Sequence, residues 1–181
     1  MSIPSASRES PYPGSWSVRQ ALHAYWAENG FDETAYTDKW TPVSFFGLHF
    51  SIPNTKSHQR ALRLHDLHHV ATGYGTDLVG EGEISVLEVR RDLSKVGLYV
   101  AVIIASVAFT GIFISPRRML AAFRETHDSA CLWALDVPYE ELLEMSVADL
   151  RALLRLPPDG IAQGRRGLHE RAPAAEVSVA G

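Results

Sequence analysis

Residues 96–116 carry no charge over 21 positions, between Lys95 and the pair Arg117-Arg118. This run limits the folds open to the chain more than any other segment. An unpaired charge is costly in apolar surroundings, so a charge-free stretch of this length suits a helix covered on every face or a membrane span of about 20 residues. Tyr99, Ser106, Thr110 and Gly111 give it a more polar side, and Ser115-Pro116 stop it with an N-cap and N1 pair for a following helix. A single span in the middle of a compact chain would be odd. The expectation is therefore an all-α fold, a single multi-helix domain around this central apolar helix.

The flanking sequence agrees. Residues 1–15 hold three prolines and five serines without apolar periodicity and are expected to form a flexible arm. The domain should span 16–158. It opens at the capping box Ser17-x-x-Gln20, with Val18, Leu22, Tyr25 and Trp26 as an apolar stripe that stops at Asn29-Gly30. Residues 43–52 alternate at Leu48, Phe50 and Ile52 and predict a short strand or hairpin ended by Pro53-Asn54. Helices follow at about 55–72, 77–93 and 116–128, the last with Met119, Leu120 and Phe123 facing in and Arg117, Arg118 and Arg124 facing out. Pro138 starts another helix, Ser146-x-x-Asp149 caps the last, and Pro157-Pro158 end the domain. The tail 159–181, rich in Gly, Ala and Arg, is expected to be disordered.

The richest chemistry lies in residues 65–81, HDLHHVATGYGTDLVGE. On a helix, His65 and His69 are one turn apart and Asp66 precedes His69 by three, so one broad face can offer all three to a single ion. Glu81 joins them after a reversal, which Gly73 and Gly75 permit and Thr76 or Asp77 can cap. Imidazole and carboxylate together suit zinc, iron(II), cobalt or manganese rather than calcium or magnesium. The bland alternative makes these histidines half-buried core residues and the acids a solvated face, but three histidines at 65, 68 and 69 beside two acids argue for a metal. Glu83 lies about 200° around a helix from Glu81, and Glu88 suits a hydrogen bond to a ligand rather than ligation. His68, about 100° off the ligand face, is a supporting group, a proton shuttle or a polar core residue. Gly80 and Gly82 flank Glu81 and either admit a close neighbour or extend the turn. His49 is expected at a polar edge, and His127-Asp128 at a helix end on the surface.

His-Asp-x-x-His followed by eleven residues and Glu resembles the signature of the Coq-four family of ubiquinone-biosynthesis proteins. It falls on His65, Asp66, His69 and Glu81. Thr72-Gly73, Gly80-Glu81, the segment Val137-Pro138-Tyr139-Glu140-Glu141 and Asp149-Leu150-Arg151 are similar to the family's pattern over about residues 55–156. The resemblance implies a peripheral membrane protein that acts on a prenylated quinone precursor. The reaction it implies is metal-dependent oxidative decarboxylation, a C1 hydroxylation that replaces the ring carboxylate of a prenylated hydroxybenzoate by hydroxyl. His65, Asp66, His69 and Glu81 would act through one divalent transition metal, Zn2+ first, with Fe2+, Co2+ or Mn2+ as alternatives. Small residues at Ala101, Ala105, Ser106, Ala108 and Gly111 would let the apolar helix line a groove for the polyprenyl tail, or pack closely in a homodimer. A larger quinone-biosynthesis complex is a further partner.

Two other classes remain open at this point. A non-enzymatic lipid-binding scaffold would use a closed four-ligand ion only to fasten helices. A zincin-like metallopeptidase would take Asp66 as general base and Glu81 as third ligand. Nucleic-acid binding is not expected, since Lys and Arg number 17 against 21 acids, a formal net charge of −4. Cys131 is the one cysteine, which leaves no internal disulfide. The first fifteen residues lack the apolar core of a signal peptide, so a cytoplasmic protein, peripheral to the membrane, is the expectation.

Overall fold

The computed structural model describes residues 12–45, 48–91 and 93–162. Helix α1 spans Val18–Asn29, and the Ser17/Gln20 capping box is formed. Gly30 closes it at φ 69°, and its buried stripe is Val18, Ala21, Leu22, Tyr25 and Trp26. A 3-10 turn at Glu33–Tyr36 leads to strands β1 (Trp40–Phe45) and β2 (Leu48–Pro53). They form an antiparallel hairpin in register from Trp40 opposite Pro53 to Phe45 opposite Leu48. The hairpin thus starts three residues before the expected 43–52, and His49 is exposed as expected.

Helix α2 (Lys56–Thr72) is capped by Thr55, whose side chain accepts from His58 N, and ends at Gly73 with φ 79°. Helix α3 (Leu78–Val89) is capped by Asp77, which accepts from the amides of Val79 and Gly80. After a 3-10 turn at Leu93–Val96 come α4 (Leu98–Ile114) and α5 (Pro116–Glu125), then a 3-10 turn at Leu132–Ala134. Helices α6 (Tyr139–Glu144) and α7 (Val147–Leu153) complete the order, with Pro138 just ahead of α6 and the Ser146 hydroxyl accepting from Asp149 N. The fold is mostly helical with one small sheet near the N-terminus, as expected.

The centre of the fold is α2. Residues 66–72 are all buried, and Ala61, Leu64, Leu67, Val70 and Ala71 enter the main core with residues of α1, α6 and α7. A second, smaller core joins Ile84 of α3, Ala108 of α4 and Met119 and Ala122 of α5. The expectation that α4 is covered on every face is corrected. Only Val100, Ile104, Ala108 and Gly111 of it are buried, while Leu98 is 83% exposed and Phe113 71%. The reason is that α4 meets the core with its small residues. A Cβ built on Gly111 would stand 2.6 Å from Met119 Sδ and 3.2 Å from Gly82 Cα, so only this side can approach α3 and α5. The larger side chains are left outward.

The same crossing corrects two further expectations. Ala108 and Gly111 are used in helix packing and so do not line a tail groove, whereas Ala105 and Ser106 are exposed. On α5, Met119 faces in, but Leu120 and Phe123 are 49% and 47% exposed, and Ala122 takes the inner position. No helix among the described residues is long and apolar enough to cross a membrane.

Of the expected arm, residues 1–11 lie outside the described residues. Tyr12, within it, is buried, and its carbonyl accepts from Arg151. The expected tail lies outside them from 163 onward. Its first residues are docked, for the amides of Ile161 and Ala162 both donate to the carbonyl of Thr72. Arg151, 1% exposed, also donates to the carbonyls of Ala71 and Pro158, so one side chain ties both ends of the domain to the end of α2.

Candidate metal centre

The turn between α2 and α3 brings three of the four expected ligands together. Gly73 N donates to His69 O and closes α2, and the chain reverses through residues 74–76. A Cβ on Gly80 would run into the backbone of Gly75, so glycine is required there for α3 to fold back against the turn. Gly82 serves the other side of Glu81, where a Cβ would meet Gly111 Cα at 3.2 Å. Close approach is thus the reason for both glycines.

One ligand atom each of His65, His69 and Glu81 lies within 4.8 Å of the others. His65 Nε2 is 3.0 Å from Glu81 Oε2 and 3.1 Å from His69 Nε2, which is 3.5 Å from Glu81 Oε1. Ligands at about 2.0–2.1 Å from a tetrahedral zinc are about 3.3 Å apart, and a facial octahedral set is slightly closer. The observed separations bracket both, so the residues fit a small divalent ion.

The outer ring nitrogens assign the tautomers. His69 Nδ1 faces the carbonyl of Tyr74 at 3.0 Å, an acceptor only, so Nδ1 carries a proton and Nε2 is the atom turned inward. His65 Nδ1 is 3.0 Å from Glu88 Oε1, which orients that ring in the same way. Metal-binding histidines characteristically hold a carbonyl or carboxylate on the far nitrogen. Three acceptors therefore converge, an arrangement that could hold a cation. Without a metal that cation is a proton. Burial opposes charge on His65, yet Glu88 and Glu81 outweigh it and hold its pKa well above the ordinary 6.5. Burial likewise works to raise the Glu81 carboxyl, but His69 and His65 hold it below the usual carboxylate range.

Asp66 is not brought to the triad. Its Oδ2 accepts from Tyr36 Oη at 2.5 Å and from Trp26 Nε1 at 3.3 Å, on the side of α2 that faces α1. Burial raises its pKa, against the hydrogen bond from Tyr36. As metal ligand and as general base, Asp66 is thus corrected to a buried anchor of the ligand helix. It lies about 100° around the helix from His65, and the spacing alone could not show which neighbour would claim it.

His68 and Glu88 are the supporting groups. Leu132 N donates to His68 Nε2, so His68 is protonated on Nδ1, which reaches Glu88 Oε1 at 2.9 Å. Burial keeps His68 neutral by lowering its pKa, although Glu88 pulls the other way. One fully buried carboxylate thus organises two rings. Glu83, also fully buried, pairs instead with Arg118 on α5, away from the triad. His127 and Asp128 pair with each other on the surface. Two contacts had no mark in the sequence: the backbone carbonyl of Tyr74, and the Tyr25 ring stacked on His69 with centroids 5.5 Å apart.

The site has a closed and an open side. His69 is fully buried, while the side chains of His65 and Glu81 are 20% and 30% exposed. Three candidate ligand side chains with one partly exposed flank leave room for a further ligand. Comparisons with family models, with curated proteins and with solved structures found no match to the chain.

Proposed function

We propose that the chain is a metal-dependent enzyme of prenylquinone biosynthesis, similar to the Coq-four proteins, that decarboxylates and hydroxylates a prenylated hydroxybenzoate head group. The observation that carries the metal-dependent part is the convergence of His65 Nε2, His69 Nε2 and the Glu81 carboxylate with both histidine Nδ1 atoms engaged from behind. The substrate class rests on the motif resemblance. Zinc is the first choice for the ion, with iron(II), cobalt or manganese as alternatives.

When bound, the ion would supply a Lewis acid for the substrate carboxylate and its neighbouring phenol oxygen. The chain's own part is positional. His65, His69 and Glu81 would hold the ion from one side, Glu88 and Tyr74 would keep the rings aimed, and the half-exposed rim of His65 and Glu81 would admit the head group. Exchange of a ring carboxylate for hydroxyl is a two-electron oxidation that releases CO2, so an oxidant must be supplied. The peptidase alternative loses its support, because Asp66 holds Trp26 and Tyr36 and offers no base at the triad.

The outward face of α4 and α5 supports peripheral attachment to the membrane that carries such a substrate. Leu98, Val102, Phe109, Ile112 and Phe113 are exposed on α4, with Leu120 and Phe123 beside the exposed Arg117 and Arg124 on α5. An apolar face flanked by arginine suits the boundary of an anionic bilayer. The same face is where a homodimer or a partner in a quinone-biosynthesis complex would sit, on what we take to be the cytoplasmic side. The test of function is incubation of the metal-loaded protein with a prenylated hydroxybenzoate and oxidant. Release of CO2 with formation of the hydroxylated product, abolished in a folded His69→Ala variant, is the expected result. Binding without turnover under every metal and oxidant tried would favour the scaffold.

A further inference from the structure

On the face of α2 opposite His65 and His69, Lys56, Arg60 and Arg63 recur at helical spacing, about 160–220° around from His65. They form one wall of a groove of ≈ 510 Å³ whose other wall is the segment from Leu132 to Tyr139. None of the three makes an ion pair with any described residue. One carboxylate, Asp136, also lines the groove. Glu140, next to Tyr139, is engaged elsewhere by Arg19 at 3.3 Å.

Arg63 is held but not satisfied. Its guanidinium lies 5.3 Å from the centre of the Tyr36 ring and 5.6 Å from that of Tyr139, so two aromatic faces hold the cation between them. Its Nε is a buried atom without a hydrogen-bond partner, and the buried hydroxyl of Tyr139 has none of good geometry, although it lies close enough to the Tyr36 side chain to interact with it. Buried donors are normally paired, because an unmet one is destabilising. The unmet donor of Arg63 belongs to a side chain that lines the basic groove.

We propose that this groove binds a small organic phosphate, with the phosphate oxygens at Arg63 and Tyr139 and the organic body against Leu135, Val137 and Pro138. Lys56, Arg60 and Arg63 outnumber Asp136 along the groove, and although Asp66 and Glu140 also act on Tyr139, the lining favours an anion. The planar fork of arginine suits oxyanions, and the volume lies within the range of small-molecule sites. The ligand is distinct from a substrate at the metal, since the two sites lie on opposite faces of one helix. The proposal stands or falls independently of the enzymatic reading.

Calorimetric titration of the full chain with phenyl phosphate, inorganic phosphate and vesicles containing phosphatidic acid tests it. Phenyl phosphate should bind more tightly than inorganic phosphate and be displaced by it. Arg63→Gln should weaken binding at least about tenfold, a loss of about 1.4 kcal/mol. Because Arg63 also packs on Tyr36, a Lys56→Gln/Arg60→Gln double variant provides a second reading at two exposed positions. It should weaken phenyl phosphate by a smaller factor and flatten the salt dependence, with metal content unchanged. Binding that is the same in Arg63→Gln, absence of binding by both soluble phosphates, or binding to vesicles alone would overturn the proposal.

Discussion

Glu88 Oε1 lies 3.0 Å from Nδ1 of His65 and 2.9 Å from Nδ1 of His68, in a position closed to solvent. A single carboxylate on α3 therefore fixes one ring that faces the metal centre and one that braces the core against Leu132. Glu88→Gln keeps an acceptor oxygen but removes the charge that makes the His65 ring a strong base. We expect metal affinity to fall about 10–100-fold with the fold retained, read by competition with a chelator. Unchanged affinity would mean that Glu88 serves the core alone.

Asp66 and Glu81 separate the observed triad from a four-ligand site. Asp66→Asn should keep the metal, since asparagine still offers an oxygen to Tyr36 and Trp26. Asp66→Ala should destabilise the fold by about 1–3 kcal/mol through the unmet donors, seen in urea unfolding. Loss of metal from a folded Asp66→Asn protein would return Asp66 to the ligand set.

The pH dependence follows from His65. Its pKa is raised above 6.5 in the folded state, so without metal its ion pairs contribute stability fully below about 6.5 and lose it as pH rises through the folded value. Glu81, depressed from 4.5, contributes above that value and loses its part as pH falls through its folded pKa. Metal-free protein should therefore melt highest between about 4.5 and 6.5 as far as these two groups decide. Metal binding must displace the His65 proton, so affinity should go on rising with pH beyond 6.5. An affinity that levels off below 6.5 would contradict the raised pKa.

Much of the site's scaffold was legible because it is local. The ligand helix is expected at about 55–72 with a reversal at Gly73, Asp77 is one of two expected caps of α3, and the one-turn spacing of His65 and His69 puts both rings on one face. The placing of Asp66 depends on Trp26 and Tyr36, 40 and 30 residues away, and no periodicity carries that information. The apolar run at 96–116 conceals its packing for a related reason. A helix apolar on every side looks the same in sequence whether or not it is covered, and only the small residues Gly82, Ala108 and Gly111 determine which side packs. Leu120 and Phe123 went outward with it.

Gly80 tests the turn that carries Glu81. Its Cβ space is filled by the backbone of Gly75, which cannot yield as a flexible side chain would. Gly80→Ala should lower stability by about 1–3 kcal/mol and weaken metal binding more than Gly75→Ala, where a Cβ would meet nothing nearer than 3.9 Å and φ is ordinary. Equal effects at the two positions would show that close approach at Gly80 is not needed.

The outward α4 face can be tested without disturbing the core. Phe109 and Phe113 are 62% and 71% exposed, and burial of such a side chain contributes about 1.5–3 kcal/mol. Replacing both by serine should weaken binding to anionic vesicles about tenfold or more and leave melting nearly unchanged. Equal vesicle binding would move the membrane contact elsewhere.

The metal itself decides the account most directly. Elemental analysis of the purified protein, after reloading with zinc or iron(II), should give about one ion per chain, and folded His65→Ala and Glu81→Ala variants should each lose it. Full occupancy in both variants would show that His65, His69 and Glu81 do not form the metal centre.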